Sequence, residues 1–298
     1  MHFDKKPLSI DEHIKLLQDR GMLIENLDIA RHSLSHINYY RLSGYWLPFE
    51  EDRTSIIHKF KAGTKFEEVL NLYNFDRKLR LQVLKAVEYI EGSLRRQWAY
   101  FMADHHGSHS YLNEYLAKNL EHFKENLDRL KQETKRSKEI FIKHYRDKYS
   151  SPELPPIWSV CEVMSLGLLS RWFRNLKNNK TRKAIAKIYR LNHKFLENFI
   201  YHLTIVRNIC AHHGRLWNRK LTVTITSPRN LEELSSNFNL SQKHRLYNTL
   251  VVSIWMLNII NPNNFWSKQV LDLIDLHKID VAKMGFPENY RNYPIWNL

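Results

Sequence analysis

Phe66 to Asp104 reads FEEVLNLYNFDRKLRLQVLKAVEYIEGSLRRQWAYFMAD. Phe66, Val69, Leu70, Tyr73, Val83, Leu84, Val87, Ile90, Leu94 and Trp98 recur mostly at steps of three and four, which is the period of one helical face. The pattern predicts one long helix ending near Asp104, before His105-His106-Gly107-Ser108-His109. Thr64 and Glu67 stand at capping-box spacing at its start, and Ser9 and Glu12 open an earlier helix in the same way.

Outward from this helix the chain stays helical in pattern. Aromatics crowd into INYYRLSGYWLPF, Ile37 to Phe49, where Gly44 and Pro48 break the period. Leu116, Leu120, Phe123, Leu127 and Leu130 form a seam on a charged helix, either as ordinary packing or as an arm that holds a partner subunit. Pro152, Pro155 and Pro156 mark a linker near residues 150–156. Helices are expected from about Trp158 to Leu176, after Thr181, and from about His193 to His213, with Gly214 where a C-cap glycine belongs. Leu221 to Thr226 alternates apolar and polar, as a short β-hairpin arm would. Further helices and the aromatic tail MGFPENYRNYPIW complete the chain, which has no internal repeat. An all-α bundle is expected, with a helical and aromatic segment over 1–62 and a helical domain over 63–298.

Composition agrees. A chain of 298 residues, 43% hydrophobic and 12% aromatic, is long and apolar enough for a real core. Only 8 glycines argue against an all-β sandwich, and neither G-x-G-x-x-G nor G-x-x-x-x-G-K occurs. Two cysteines, Cys161 and Cys210, build neither a zinc ribbon nor a disulfide scaffold. The longest apolar stretch, Leu250 to Ile260, is too short to span a bilayer, and the N-terminus has no signal-peptide core. A soluble cytoplasmic protein with no membrane partner is expected.

The net charge of +15 is concentrated. Between Val163 and Leu231 the one acid is Glu197, against fourteen bases: Arg171, Arg174, Lys177, Lys180, Arg182, Lys183, Lys187, Arg190, Lys194, Arg207, Arg215, Arg219, Lys220 and Arg229. Lys and Arg contacts to phosphates supply the sequence-independent part of nucleic-acid affinity. The stretch therefore reads as an RNA-binding surface, with Lys177, Lys180, Arg182, Lys183, Lys187, Arg190, Arg219 and Lys220 as its contacts. Trp172, Tyr189 and Trp217 interleave it, either as stacking platforms for unpaired bases or as core.

The basic stretch contains RNICAHHGRLWNR, Arg207 to Arg219. On a helix, Asn208 and His212 share a face, so the amide can orient the imidazole, and the long Arg207 side chain reaches the same place. A helix C-terminus also favours a positive group there. This gives a proton-transfer group beside a fixed cation. Cleavage of RNA by its own 2′-hydroxyl needs both: a group to move protons and a guanidinium to balance charge on the phosphorane. Neither task requires a metal or a cofactor. The spacing Arg, four residues, His also occurs at Arg31–His36 and Arg53–His58; both are read as structural. His105, His106 and His109, with no Cys or paired carboxylates beside them, read as a polar loop and not as a metal site.

RNICAHH resembles the R-N-x-x-x-H signature of HEPN ribonucleases. INYYRLSGYWLPF, YNFDRKLRLQVLKAVEYIEGSLR, PPIW with MSLGLLS, RNICAHHGRLWNR and MGFP resemble, in order, the blocks of the Abi-like abortive-infection family of bacteria, over roughly Leu34 to Phe286. The resemblance implies a HEPN-type bundle with additional helices and a metal-independent endoribonuclease acting as a toxin in phage defence. It also implies a homodimer in which two signature helices meet, with 2′,3′-cyclic phosphate and 5′-hydroxyl products. His212 carries over as the proton-transfer residue, Arg207 as the phosphate stabiliser and Asn208 as the orienting group. Some relatives are restrained by a structured noncoding RNA. Glu91 and Arg95 match the family's E-x-x-x-R; the pair reads as an intrahelical ion pair, or Glu91 as the carboxylate that positions Arg207. His213 and Arg215 are further supporting candidates. A non-catalytic RNA-binding or RNA-sensing module is the alternative. A DNA-binding repressor ranks last, without a helix-turn-helix or zinc pattern.

Overall fold

The computed structural model describes residues 2, 6–52, 58–228 and 231–297. Among them are thirteen α-helices and no strand, only isolated bridges such as Leu23–Lys65 and Ala117–Leu176. The protein is all-α. Two compact units divide it: Met1–Leu79 with Asp272–Ile279, and Arg80–Leu271 with Asp280–Leu298.

The first unit holds α1 (Ile10–Asp19), α2 (Leu27–His36), α3 (Tyr39–Trp46) and the first part of α4 (Phe66–His106). Both halves of the Ser9–Glu12 capping box form. The second box is shifted by one residue. Glu68 accepts from Lys65 N at 3.1 Å, while the Thr64 hydroxyl turns back to Lys61 O. Glu67 instead accepts from Asn26 N, at the start of α2. The core buries Leu17, Leu42, Phe66 and Phe75, and Tyr45 donates to Asp76 at 2.6 Å inside it. Residues 272–279 belong here because His277 and Asn71 exchange two hydrogen bonds. Arg31 is held by Asp11 at 2.8 Å, and Arg53 lies outside the described residues.

The second unit contains the rest of α4, which ends two residues beyond Asp104. It continues with α5 (Leu120–Arg136), α6 (Ile140–Lys148), α7 (Ile157–Val163), α8 (Leu166–Asn175), α9 (Asn179–Ile188), α10 (His193–Ala211), α11 (Glu232–Ser235), α12 (Tyr247–Ile260) and α13 (Trp266–His277, to residue 271). Of the leucine seam, Phe123 and Leu130 are buried where α5 lies on α7 and α8, Leu116 and Leu127 are half-buried, and Leu120 is exposed. The proline segment lies inside this unit, with Leu154 buried and Pro155 O accepting from Tyr111 at 2.6 Å. Helix α12 is apolar on every side and buried from Tyr247 to Leu257, a central core helix. Among the described residues no helix is long and apolar enough to cross a membrane.

The expected hairpin at Leu221–Thr226 does not form. The segment bends at Thr222 and Val223 and forms no strand; Leu221 and Ile225 are buried, while Val223 is half-buried like Thr224, so the alternation holds only in part. Side chains of α10 take its backbone groups in place of a partner strand. Asn198 bonds Thr224 O and Thr226 N, and His202 Nδ1 bonds Val223 O at 2.8 Å. A carbonyl only accepts, so Nδ1 carries the proton and Nε2 accepts from the Thr249 hydroxyl at 2.8 Å. One buried imidazole thus joins α10, α12 and this segment.

Candidate functional site

Helix α10 begins at the N-cap Asn192, whose side chain accepts from Lys194 N. Its inward face buries Phe195, Leu196, Phe199, Leu203, Val206 and Cys210 against α8, α9 and the core. The remaining face carries Asn208 and His212 to solvent, with Arg207 half-buried beside them. Arg207 Nη1 donates to Asn208 Oδ1 at 3.3 Å. The amide therefore orients the guanidinium; the expected bond to the imidazole is not made.

The helix end is built by backbone geometry. His212 is the C-cap, with its N–H on Asn208 O. His213 N bonds Cys210 O at 3.1 Å and Gly214 N bonds Ile209 O at 2.8 Å, the paired bonds of a Schellman motif. The residue in the left-handed region is His213, at φ 57°, and not the glycine after it. Gly214 sits in a tight space: a Cβ there would stand 3.3 Å from both Ile209 O and Ile209 Cγ2, so Ile209 would have to give by a few tenths of an ångström. Both histidines of the turn are exposed. Beyond it the chain is anchored by buried Leu216 and Trp217, and by Arg245 Nη1 on Asn218 O and Oδ1 at 2.9 Å. Arg215 is half-buried in this turn, and its carbonyl accepts from Arg219.

Glu91 and Arg95 pair with each other. Arg95 Nη2 is 2.5 Å from Glu91 Oε1 and 2.7 Å from Met164 O, and Nη1 donates to Glu162 O. Arg95 thus caps the carbonyl end of α7, where a cation suits the helix dipole. Glu91 holds that cap, and Arg207 is not among its partners.

The basic stretch separates into two groups. Lys177, Lys180, Lys183, Lys187, Arg190, Lys194, Arg219 and Lys220 are exposed. Arg182 departs from the expectation of a solvent-facing contact. It is 8% exposed, and its guanidinium is held by Glu197 at 2.7 Å and by Asn179. Glu197 also faces Arg174, and Arg171 pairs with Glu125. Trp172, Tyr189 and Trp217 are all core, at 4%, 0% and 3% exposure, so none offers a stacking face. Arg229 lies outside the described residues.

A cleft of about 400 Å³ runs beside the start of α10, lined by Arg190, Lys194, Asn198 and Thr226. Lys194 and Asn198 were not singled out as contacts from sequence. Lys194 was legible in the charge count, whereas a polar Asn inside a helix leaves no signal. His105 and His109 bond Thr181 and Ser108 respectively.

Residues 32–218 match the family model described as Abi-like protein, which is more than half of the chain. The chain belongs to the Abi-like protein family. The match runs from α2 through the aromatic block, α4 and the proline segment to Asn218, and so takes in the whole tip of α10. Membership in the Abi-like family points to abortive infection, a form of phage defence. No curated protein and no solved structure matches this Abi-like chain.

Proposed function

We propose that this Abi-like protein is a metal-independent endoribonuclease of the HEPN kind, which arrests an infected cell by cutting RNA. The observation that supports it is the helix tip itself: Arg207 and Asn208 are hydrogen-bonded, and His212 lies exposed one turn further on, at the solvent end of a helix whose other face is core. In this reading His212 moves the proton from the 2′-hydroxyl or to the 5′-leaving oxygen. Arg207, steadied by Asn208, balances charge on the phosphorane. The 2′-oxygen bonds to phosphorus as the 5′-oxygen leaves, giving a 2′,3′-cyclic phosphate and a 5′-hydroxyl. The exposed lysines of α9 bind the RNA backbone. A homodimer supplies the tip twice, and a structured RNA is a further candidate ligand of the same basic face. No cofactor takes part. The cytoplasm, where RNA is made, is the proposed location.

The test is cleavage of RNA by purified protein in excess chelator, with end-group analysis. Cyclic phosphate ends are expected from wild type, with a loss of roughly 10²-fold or more in His212→Ala. Tight RNA binding without cleavage by wild type would make the protein a binding or sensing module.

A further inference from the structure

The aromatic block Ile37–Phe49, which the cleavage chemistry leaves unused, lines a cleft of about 520 Å³ in the first unit. That volume lies within the usual range for small-ligand sites, roughly 300–1,000 Å³. Three of its features converge on one ligand chemistry.

The first is a stacking surface. Tyr39 and His13 are stacked with ring centroids 4.4 Å apart and 19° between planes, and Trp46 meets Tyr39 edge-on at 5.0 Å. Beside them the Tyr40 ring is 77% exposed, a large aromatic left open at the cleft. The second is positive charge: Arg20 donates to the Tyr39 hydroxyl at 3.1 Å and has no carboxylate partner among the described residues, and Lys6 stands exposed at the rim. The third is Glu50. Its side chain is 4% exposed, its Oε2 has no hydrogen-bond donor, and His58 Nδ1 stands 3.7 Å from it, beyond hydrogen-bond reach. A buried carboxylate oxygen without a donor is costly and rare. A ligand that brings donors removes that cost.

We propose that this cleft binds a guanine base carried on a nucleotide, either free or as an unpaired residue of an RNA. Aromatic faces take any base, and Arg20 and Lys6 suit its phosphate. Glu50 makes the choice. Guanine alone among the four bases presents two adjacent N–H donors, N1–H and the 2-amino group, on its Watson–Crick edge. Adenine and cytosine place an acceptor beside their amino group, and uracil's N3–H lies between two carbonyls; each sets an oxygen or nitrogen lone pair against the carboxylate. The proposal is independent of the cleavage reading, because none of these groups belongs to the α10 tip.

The experiment uses the full chain carrying His212→Ala, so that RNA stays intact. It is titrated with GMP and AMP by calorimetry, and with labelled UUGUU and UUAUU by anisotropy. The guanine form is expected to bind at least tenfold tighter than its adenine counterpart. Glu50→Gln removes that preference, and Tyr40→Ala, an exposed change with little effect on folding, weakens binding severalfold. Binding of GMP assigns a free nucleotide; preference seen only in the pentamers assigns an RNA base. Equal affinity for guanine and adenine, no binding of any probe, or a preference that survives Glu50→Gln overturns the proposal. Should Glu50→Gln fail to fold, undiminished binding by Tyr40→Ala overturns it.

Discussion

Arg182 donates to Glu197 at 2.7 Å, so the one acid of the basic stretch turns one of its bases inward. The Arg182 side chain is 10% exposed and that of Glu197 is 25%. Removing one partner of such a pair strands the other charge. Glu197→Ala is therefore expected to destabilise the fold by about 2–3 kcal/mol, and Arg182→Met, which removes the charge but keeps the volume, by clearly less. Urea midpoints of the two single variants and of the double variant measure this; losses that simply add in the double variant would show the pair is not coupled.

Lys180, Lys183 and Lys187 lie exposed on α9 and hold no structure together. Replacing all three by Ala should leave stability within about 1 kcal/mol, because surface charges contribute little. RNA affinity should fall, and the slope of log K against log salt should flatten by roughly 2, near 0.7 per phosphate contact on single strands. An unchanged slope would place the RNA on another face.

Burial lowers the His202 imidazole to about 4, against the opposing pull of the Val223 carbonyl. The unfolded chain takes up this proton near 6.5 and the folded chain only near 4. Stability that is full above pH 6.5 is thus lost as pH falls from there toward 4, by roughly 3 kcal/mol for this group. Burial also depresses His106, His193 and His277, and these act in the same direction. Urea denaturation from pH 7 to 4 should show the slope, and His202→Gln should reduce it without abolishing it.

His213 holds φ 57° with a side chain, and Gly214 is crowded by Ile209. His213→Gly should stabilise the helix end by roughly 0.5–1 kcal/mol, and Gly214→Ala should cost about 1 kcal/mol. Thermal denaturation orders the two. Retention of His213 despite that cost would fit a functional use of its position, and a cleavage assay of His213→Gly checks it.

Arg207→Lys should impair RNA cleavage nearly as much as Arg207→Ala, within about threefold. Lysine keeps the charge but loses both the two-pronged grip on phosphate and the Nη1 bond to Asn208. Near-normal cleavage by the lysine variant would mean that charge alone suffices.

Much of the helical layout was legible because periodicity and caps act locally. The step of three and four through Phe66–Trp98 marks α4 to within two residues of its end, and the Ser9–Glu12 box forms as spaced. The signature string was legible too, since Arg207, Asn208 and His212 lie within six consecutive residues and one helix end holds them. The Leu221–Thr226 alternation told that Leu221 and Ile225 go inward and misled as strand: local pattern records the inward residues, not what satisfies their backbone.

Sequence by itself determined the all-α class, the density of positive charge and the residues gathered at the tip of α10, because each follows from neighbours within a turn or two of helix. Tertiary structure alone decided which bases face solvent, that Trp172, Tyr189 and Trp217 are core, that Glu91 holds Arg95 at the end of α7, and that His213 takes the left-handed turn. Except for the His213 turn, which its own neighbours Cys210 and Ile209 close, those outcomes depend on partners distant along the chain, such as Met164 for Arg95, and so does the proton position on His202, which Thr249 and Val223 fix. Burial is fixed by what packs against a side chain, and no periodicity along one segment encodes the identity of a group brought to it from another.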